Sequence, residues 1–274
     1  MQQQHPGTQS APLETPRLLA ERFESGQPGI VYIKPKILFL KTEALSVAPS
    51  SMNIYLPPSG IGSITLLEAS ALVALTKIIE PKVIFEFGTF LGYSTALFLK
   101  NSSPECRVIS VDLGDVAEEV SGAAHYSEAE LRKDDRKNDD HLRLVQSKQG
   151  PYYLKGLTEI DQARLTLIHQ DSRSLNVKGN GLEDQVDLVF VDGGHDLETI
   201  VSDSGLAKAM IGEDGVIVWH DFNSQIHGDV TRYIDGASKQ DLILSIPNTM
   251  LAIGLYGKAR ARFLELGCTG QDAA

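Results

Sequence analysis

The sequence predicts an α/β fold, with a doubly wound and mostly parallel sheet of seven strands that ends in an antiparallel C-terminal hairpin. After Pro81, short apolar runs rich in β-branched residues alternate with stretches of helical periodicity. Runs that are apolar on both faces are typical of strands covered by helices on both sides. The last two runs flank Pro247-Asn248-Thr249 and should pair as the hairpin. The seven runs are KVIFEF, RVISVD, RLTLIHQD, VDLVFVD, GVIVWHD, DLILSIP and MLAIGLYG.

Composition divides the chain into four segments. Residues 1–28 are rich in Gln, Pro, Ser and Gly, which predicts a flexible N-terminal arm. Residues 29–80 should form a helical cap segment, because ITLLEASALVALTKII has apolar residues at helical spacing and stops before Pro81. Residues 81–260 are predicted to form the α/β domain, and residues 261–274 a C-terminal tail.

A charged insertion interrupts the alternation of strands and helices at residues 114–159. It contains EAELRKDDRKNDDHLRLVQSKQGPYYLKG, which is dense in charges of both signs. One interpretation is a solvated surface helix or a disordered loop. The other is a lid over a bound substrate, because long non-repetitive insertions in compact domains are often functional.

Composition and charge limit the partners that we expect. The 274 residues carry a formal net charge of −11. Affinity for phosphate-rich surfaces is built from Lys and Arg, so we expect neither a nucleic acid nor a membrane as partner. The N-terminus lacks the pattern of a secretory signal, and the two cysteines lack the spacing of a metal site. These features predict a cytoplasmic protein.

Five acidic residues stand at or next to the ends of predicted strands. In an open parallel sheet, the ligand binds outside the carboxyl ends of the strands. An acid after one strand is commonly the N-cap of the next helix, but five at one edge indicate an acidic crescent around a ligand. Such a ligand would carry hydroxyl groups, amino groups or a metal. The five are Glu86, Asp112, Asp171, Asp192 and Asp221.

The first two turns narrow the choice of ligand. A nicotinamide dinucleotide site has the pattern G-x-G-x-x-G, with a helix N-terminus that faces a pyrophosphate. Here Gly88 and Gly92 are spaced G-x-x-x-G, and Glu86 would repel a pyrophosphate. Asp112, at the end of the second strand, is positioned to accept hydrogen bonds from ribose hydroxyls. A nucleoside without phosphates but with a positively charged end fits both features, and S-adenosylmethionine is such a molecule.

Five longer motifs follow one another along the chain, namely EFGTFLGYSTALFL, VISVDLG, IHQDSRS, VDLVFVDGGHD and DGVIVWHDF. In this order they resemble the motifs of class I S-adenosylmethionine-dependent methyltransferases, which have a Rossmann-like fold. The resemblance runs from about Leu66 to Tyr256. It is closest to the small-molecule O-methyltransferases of the catechol, caffeoyl-CoA and macrolide-sugar types. It implies an enzyme that methylates a hydroxyl group of a small-molecule acceptor.

The resemblance also implies which residues bind the cofactor. The first turn would hold the methionine part, Asp112 would bind the ribose, and Asp171 with Ser172 would lie beside the adenine. Asp192, which ends the fourth predicted strand, would also contact the cofactor. The implied cofactor-binding residues are Glu86, Gly88, Thr89, Gly92, Ser94, Asp112, Asp171, Ser172 and Asp192.

The metal-dependent branch of these enzymes implies a divalent metal site at the acids that end the fourth and fifth strands. These acids match Asp192 and Asp221, and Mg²⁺ or another divalent metal is the ion implied. That branch often has Asn directly after the second acid, where this chain has Phe222. His220 and Asn223 lie on either side and are the candidates for a further metal ligand.

His195 is the candidate general base. In catechol-type relatives a lysine three residues after the first metal acid has this role, and His195 has that spacing from Asp192. An unperturbed imidazole has a pKa of about 6.5, which suits proton transfer near neutral pH. The competing interpretation is that His195 only caps the helix that follows it.

Two other functions are compatible with the same residues. One is a metal-dependent hydroxylase or another non-methylating enzyme on this fold, which would use the histidines beside Asp192 and Asp221. The other is a non-catalytic subunit that binds the cofactor. The motifs leave open the identity of the acceptor and whether the chain forms a homodimer.

Overall fold

The computed structural model describes residues 16–58, 63–114 and 121–266, which form a mixed sheet between two layers of helices. The sheet has eight strands within these residues. They are β1 (Gly29–Tyr32), β2 (Val83–Phe87), β3 (Arg107–Asp112), β4 (Leu165–His169), β5 (Leu188–Val191), β6 (Val216–Trp219), β7 (Leu242–Ser245) and β8 (Ala252–Leu255).

The strands are arranged in the order β1-β7-β8-β6-β5-β2-β3-β4. Neighbouring strands are parallel except at β8, which is antiparallel to both β6 and β7. The predicted fold class and the hairpin of β7 and β8 are therefore confirmed. The chain progresses from β2 to β4 on one side and from β5 to β6 on the other. The topological switch point, where open α/β sheets bind ligands, thus lies between β2 and β5.

Helices cover both faces of this sheet. Within the described residues they are α1 (Pro16–Ser25), α2 (Pro35–Glu43), α3 (Leu66–Ile79), α4 (Tyr93–Asn101), α5 (Glu128–Leu131), α6 (Asp135–Gln149), α7 (Glu159–Ala163), α8 (Leu197–Ile211), α9 (Gly228–Ala237) and α10 (Gly257–Glu265). Successive strand side chains point to opposite faces. Ile84 therefore joins the core with α3 and α4, while Phe85 joins the core with α8 and α9. Burial on both faces explains why the strand sequences are apolar throughout.

The segment predicted as a flexible arm, residues 1–28, is in part a helix. Residues 1–15 lie outside the described part of the chain, but Pro16–Ser25 form α1. Leu19 and Phe23 on this helix are buried in the core. A spacing of four places both side chains on one face of the helix. The polar composition around this short apolar stripe concealed it in the sequence.

The cap segment, residues 29–80, contributes a strand that was not predicted. β1 pairs with β7 in parallel, from Gly29 opposite Leu242 to Tyr32 opposite Ser245. The added strand satisfies backbone groups of β7 that an edge would leave exposed. The sheet therefore has one strand more than the seven that were expected.

The predicted C-terminal tail, residues 261–274, begins inside helix α10. Phe263 on this helix is fully buried and lies against Phe23, with 6.3 Å between the ring centroids. Residues 267–274, which include Cys268, lie outside the described part of the chain. Packed structure thus continues beyond the predicted boundary, because one aromatic side chain anchors the last helix to the core.

The insertion at residues 114–159 is largely helical, apart from residues 115–120, which are not described. Its main element is α6, whose N-cap Asp134 accepts a hydrogen bond from the backbone N–H of Lys137 at 3.1 Å. Near the other end of α6, Gln146 donates a hydrogen bond to Asp112 at 2.9 Å. The helix therefore lies over the carboxyl edge of the sheet. None of the helices in the described residues is long and apolar enough to span a membrane.

Candidate active site

A cavity lies at the carboxyl ends of the central strands, at the switch point of the sheet. Its walls are the turns that follow β2, β3, β4, β5 and β6, together with one face of α6. The sequence-predicted residues that line it are Gly88, Asp112, Asp171, Ser172, Asp192, His195 and Asp221. The predicted residues outside its lining are Glu86, Thr89, Gly92, Ser94, His220 and Asn223.

The turn after β2 needs glycine for close packing. Gly88 has a φ of +91°, and a Cβ atom there would lie 2.1 Å from the backbone oxygen of Asp192. Gly92 has a φ of +78° and is the N-cap of α4. A Cβ atom at Gly92 would lie 2.6 Å from Leu154 of the insertion. These two glycines therefore let the turn contact the strand beside it and the insertion above it.

Asp112 holds this turn in place. Its Oδ2 accepts hydrogen bonds from the backbone N–H groups of Thr89 and Phe90, both at 2.8 Å, and from Gln146 at 2.9 Å. Its Oδ1 accepts one from the backbone N–H of Leu113 at 2.8 Å. The carboxylate thus joins the turn after β2, its own loop and α6 at the cavity wall.

Glu86 lies beneath the turn instead of in the cavity wall. It is fully buried and accepts hydrogen bonds from Ser110, at 2.7 Å, and from Thr95, while its Oε1 has no partner among the described residues. Burial raises the pKa of Glu86 to about 7, although these hydroxyl groups oppose the shift. Thr89 and Ser94 are buried beside it. These three residues support the turn from below.

Asp171 and Ser172 form the far wall, after β4. Asp171 accepts a hydrogen bond from the backbone N–H of Arg173 at 2.9 Å. It also forms an ion pair with the Arg173 guanidinium at 2.6 Å, and this hydrogen bond lowers the pKa of Asp171. The Asp171 carboxylate therefore binds the backbone and side chain of Arg173 in its own loop.

Three of the four predicted metal ligands converge. The Nδ1 atom of His220 lies 3.0 Å from a carboxylate oxygen of Asp192 and 3.2 Å from one of Asp221. One ligand atom from each residue lies within 4.8 Å of the other two. The prediction for Asn223 is not supported, because its side chain is exposed and its backbone N–H bonds to Thr231. Asn223 has a φ of +63°, in the left-handed region that asparagine tolerates.

The charged side chains of this group change one another's pKa values. Burial alone would lower the pKa of His220, but the negative charges of Asp192 and Asp221 outweigh it and raise that pKa well above its usual range. Burial would raise the pKa of Asp221, yet the charge of His220 and a hydrogen bond from His195 hold it well below its usual range. The described site thus neutralises converging carboxylates with imidazolium groups, a role that a metal ion could also take.

His195 bridges two carboxylates. Its Nε2 lies 3.0 Å from Asp221, and its Nδ1 lies 2.7 Å from Asp139 of α6. Burial lowers the pKa of His195, but the hydrogen bonds with Asp139 and Asp221 outweigh this effect and hold the pKa well above its usual range. The N-cap of the following helix α8 is Asp196, which accepts a hydrogen bond from the backbone N–H of Thr199. His195 is therefore not that cap.

A second group of side chains that could hold a metal ion lies beside the first, and it was not predicted from the sequence. His227 pairs with Asp135 at 2.5 Å, and its ring stacks on that of His195 with 3.8 Å between the centroids. Asp135 and Asp139 are four residues apart on α6 and so share one helix face. That spacing was the available signal, but nothing in the sequence showed that this face meets two histidines.

Asp203 on α8 was also missed. It is 1% exposed and contributes to the cavity wall, and neither of its carboxylate oxygens has a hydrogen-bond partner among the described residues. Burial raises its pKa to about 6. In the sequence it is one acid on a predicted covering helix, so no pattern distinguished it from a solvated residue.

Comparison with known proteins identifies the family. A family model described as a methyltransferase domain matches residues 85–222, which is half of the chain. This match contains the turn after β2 and both acids of the converging group. Curated protein sequences give no significant match.

Several solved structures are similar in fold. A methyltransferase of Podospora anserina, bound to S-adenosylhomocysteine, is 14% identical, with 94% of this chain and 100% of that chain covered and a TM-score of 0.44. An O-methyltransferase of Bacillus cereus, in complex with the same compound, is 16% identical, with 80% and 89% covered and a TM-score of 0.42. These values are too low to transfer a substrate to this chain.

The family match and the fold agree with the motifs in the sequence. The match begins in β2 and ends directly after Asp221, so it spans the strands whose ends form the cavity. The order of these strands places the switch point at the predicted cofactor turn. The chain therefore belongs to the methyltransferase-domain family and is a class I S-adenosylmethionine-dependent methyltransferase.

Proposed function

We propose that this enzyme methylates a hydroxyl oxygen of a small-molecule acceptor, with the help of a divalent metal. One observation carries the proposal: His195, Asp192 and Asp221 meet at the wall of the cavity that Asp112 also lines. A base and a set of metal ligands beside the cofactor cavity suit the deprotonation of a hydroxyl group.

The cofactor half of the cavity would orient the methyl donor. S-adenosylmethionine, when bound, supplies an electrophilic methyl carbon on its sulfonium. Asp112 is the acceptor for ribose hydroxyls, and Ser172 lies where the adenine is expected. Gly88 allows close approach to the backbone of the turn. Orientation of the two reactants is itself a large part of such catalysis.

The donor set of the converging group fits a divalent metal. The two carboxylates are ligands that Mg²⁺ accepts, and the imidazole nitrogen shifts the preference of the site towards Mn²⁺ or Fe²⁺. Asp192, Asp221 and His220 would hold the ion. A bound divalent ion lowers the pKa of a hydroxyl group that it contacts. The imidazole of His220 lies within hydrogen-bond distance of both carboxylates, so the three side chains already converge.

His195 is the proposed general base, and it would accept the hydroxyl proton at Nε2. The hydrogen bond between Nδ1 and Asp139 fixes the ring orientation and favours the tautomer with the proton on Nδ1. Nε2 faces Asp221 at 3.0 Å, so it would be free to accept the hydroxyl proton only when a metal ion engages Asp221. This arrangement gives the insertion a part in the reaction, because Asp139 lies on α6.

The insertion would also act as a lid. The face of α6 closes one side of the cavity and is held there by His195, His227 and Asp112. A wall that excludes water strengthens the electrostatic interactions within the site. Deletion of the charged part of residues 121–149 should therefore raise the acceptor KM far more than it weakens cofactor binding.

Calorimetry with cofactors and an assay with metals test the proposal together. The wild-type protein should bind S-adenosylhomocysteine and not NAD. Methyl transfer to a panel of catechols, phenols and sugars should fall on treatment with EDTA and return when Mg²⁺ or Mn²⁺ is added. Binding of NAD without binding of S-adenosylhomocysteine would contradict the cofactor, and activity indifferent to EDTA would contradict the metal.

A further inference from the structure

One face of helix α6 carries four cavity residues at helical spacing. Asp139, Leu142, Arg143 and Gln146 all line the cavity, and residues three or four apart share a helix face. Gln146 contacts Asp112 on the cofactor side, whereas Asp139 contacts His195 on the acceptor side. Arg143 stands between them on the helix, so its side chain lies between the two halves of the cavity.

Among the described residues, the Arg143 side chain has no ion-pair partner, unlike Asp139 and Arg173 in the same cavity wall. Asp139 pairs with His195, and Arg173 pairs with Asp171. Across residues 16–58, 63–114 and 121–266, the Arg143 side chain forms no hydrogen bond and no ion pair. The cavity thus contains an arginine whose charge none of its carboxylates neutralises.

A free guanidinium in such a cavity is suited to a specific kind of ligand. Arginine presents a planar fork of N–H donors that matches the two oxygens of a carboxylate or phosphate. The fork stays charged at any physiological pH. Half-burial strengthens its attraction for an anion relative to an exposed surface arginine.

We propose that Arg143 binds an anionic group, a carboxylate or a phosphate, on a ligand of this cavity. The inference rests on the proposed function, because that function supplies the two sources of such a group. One source is the amino-acid carboxylate of the methyl donor. The other is a carboxylate or phosphate on the acceptor. The position of Arg143 between the two halves of the cavity allows either source.

The first arm of the test compares two cofactor ligands by calorimetry. S-adenosylhomocysteine and its decarboxylated analogue differ only in the carboxylate. If that carboxylate is the anion, Arg143→Gln should weaken S-adenosylhomocysteine about 10- to 100-fold and leave the analogue unchanged, as expected for charge-assisted hydrogen bonds. Equal weakening of both ligands counts against Arg143 as the carboxylate-binding residue.

The second arm uses inorganic phosphate and acetate as probes. Each is titrated into protein saturated with S-adenosylhomocysteine. If the acceptor supplies the anion, the wild type should bind at least one probe, and Arg143→Gln should lose that binding. Absence of a carboxylate-specific effect in the first arm, together with no Arg143-dependent probe binding in the second, overturns the inference.

Two further variants make the result interpretable. Arg136→Gln removes an exposed arginine from the same helix and should leave both arms unchanged. Arg143→Lys keeps the charge without the fork and should give an intermediate loss. If the wild type fails to bind S-adenosylhomocysteine but binds phosphate through Arg143, then the proposed cofactor use is wrong while the anion site stands.

Discussion

The two halves of the cavity are built from different kinds of contact. On the cofactor side, Asp112 binds backbone N–H groups of the turn after β2, only 22 and 23 residues earlier in the chain. On the acceptor side, His195 meets Asp139 across 56 residues, and His227 meets Asp135 across 92. The first half is thus a local unit of strand, turn, helix and strand. The second half forms only when the insertion packs against the core.

This difference predicts where substitutions act. Backbone donors in the cofactor half are fixed by the turn itself, so changes there should affect cofactor affinity. Titratable side chains in the acceptor half bind one another, so changes there should affect the rate of methyl transfer. A single substitution that lowered cofactor affinity and the rate of methyl transfer equally would contradict this division of the cavity.

The largest effect is expected at the metal group. Asp192→Ala removes one of two converging carboxylates, and it should lower kcat by about 10³-fold or more and abolish the response to added metal. The measurement is methyl transfer with and without Mn²⁺ or Mg²⁺. Asn223→Ala is the matched control, because this side chain is exposed and should leave both readouts unchanged. A variant Asp192→Ala that keeps its metal response would refute the assignment.

His195→Ala should have the next largest effect. Loss of a general base lowers kcat by about 10²- to 10⁴-fold, while calorimetry should show nearly unchanged affinity for S-adenosylhomocysteine. His169→Ala serves as control, because His169 is exposed at the end of β4 and does not line the cavity. Full activity in His195→Ala would mean that the histidine only holds the insertion in place.

The cofactor half should respond in affinity instead. Asp112→Ala loses the predicted ribose contacts and releases the N–H groups of Thr89 and Phe90. Loss of charge-assisted hydrogen bonds costs about 1.5–3 kcal/mol, which corresponds to roughly 10- to 100-fold weaker binding of S-adenosylhomocysteine. Asp112→Asn keeps one acceptor oxygen and should lose less. Unchanged calorimetric affinity in Asp112→Ala would show that the ribose is bound elsewhere.

The smallest effect concerns stability and pH. Glu86 has a pKa of about 7 in the folded chain and an ordinary value near 4.5 when unfolded. Between these values the folded state binds more protons, so the free energy of unfolding contributed by Glu86 falls as the pH rises. The loss should be about 1–3 kcal/mol between pH 5 and pH 8.

Urea unfolding of the ligand-free protein at several pH values measures this effect. Glu86→Gln cannot ionise, so it should lack this part of the pH dependence and be relatively more stable than the wild type at pH 8. Parallel pH profiles for the two proteins would show that the buried carboxyl is not protonated in the folded state.

Much of the cofactor half could be predicted from the sequence. The pattern of buried strand, Gly88 and Gly92 is local, and Asp112 follows one strand later. The sequence did not show which of these acids line the cavity and which lie beneath the turn. Glu86 belongs to the same motif, but alternation along β2 directs it beneath the turn, where Ser110 and Thr95 bind it. Whether an acid near a strand end faces the ligand or the core depends on the direction in which its side chain points from the strand.

In the acceptor half, only the residues at the ends of strands could be predicted from the sequence. Asp192 and Asp221 ended neighbouring strands and were expected to converge, as they do. The partners Asp135, Asp139 and His227 lay in a charged insertion and in a loop, where spacing alone gave no reason to select them. Their contacts join segments that no local pattern connects.

The sequence by itself determined the family, the doubly wound sheet and the edge at which its acids meet, because strand periodicity and turn glycines are properties of local chain. Tertiary structure alone decided that α6 closes the cavity and that His195 is held between Asp139 and Asp221. It also decided that the Arg143 side chain lies in that wall without a partner from the described part of the chain. These features depend on how an insertion packs across the sheet, and such packing is fixed by contacts between residues distant in the chain.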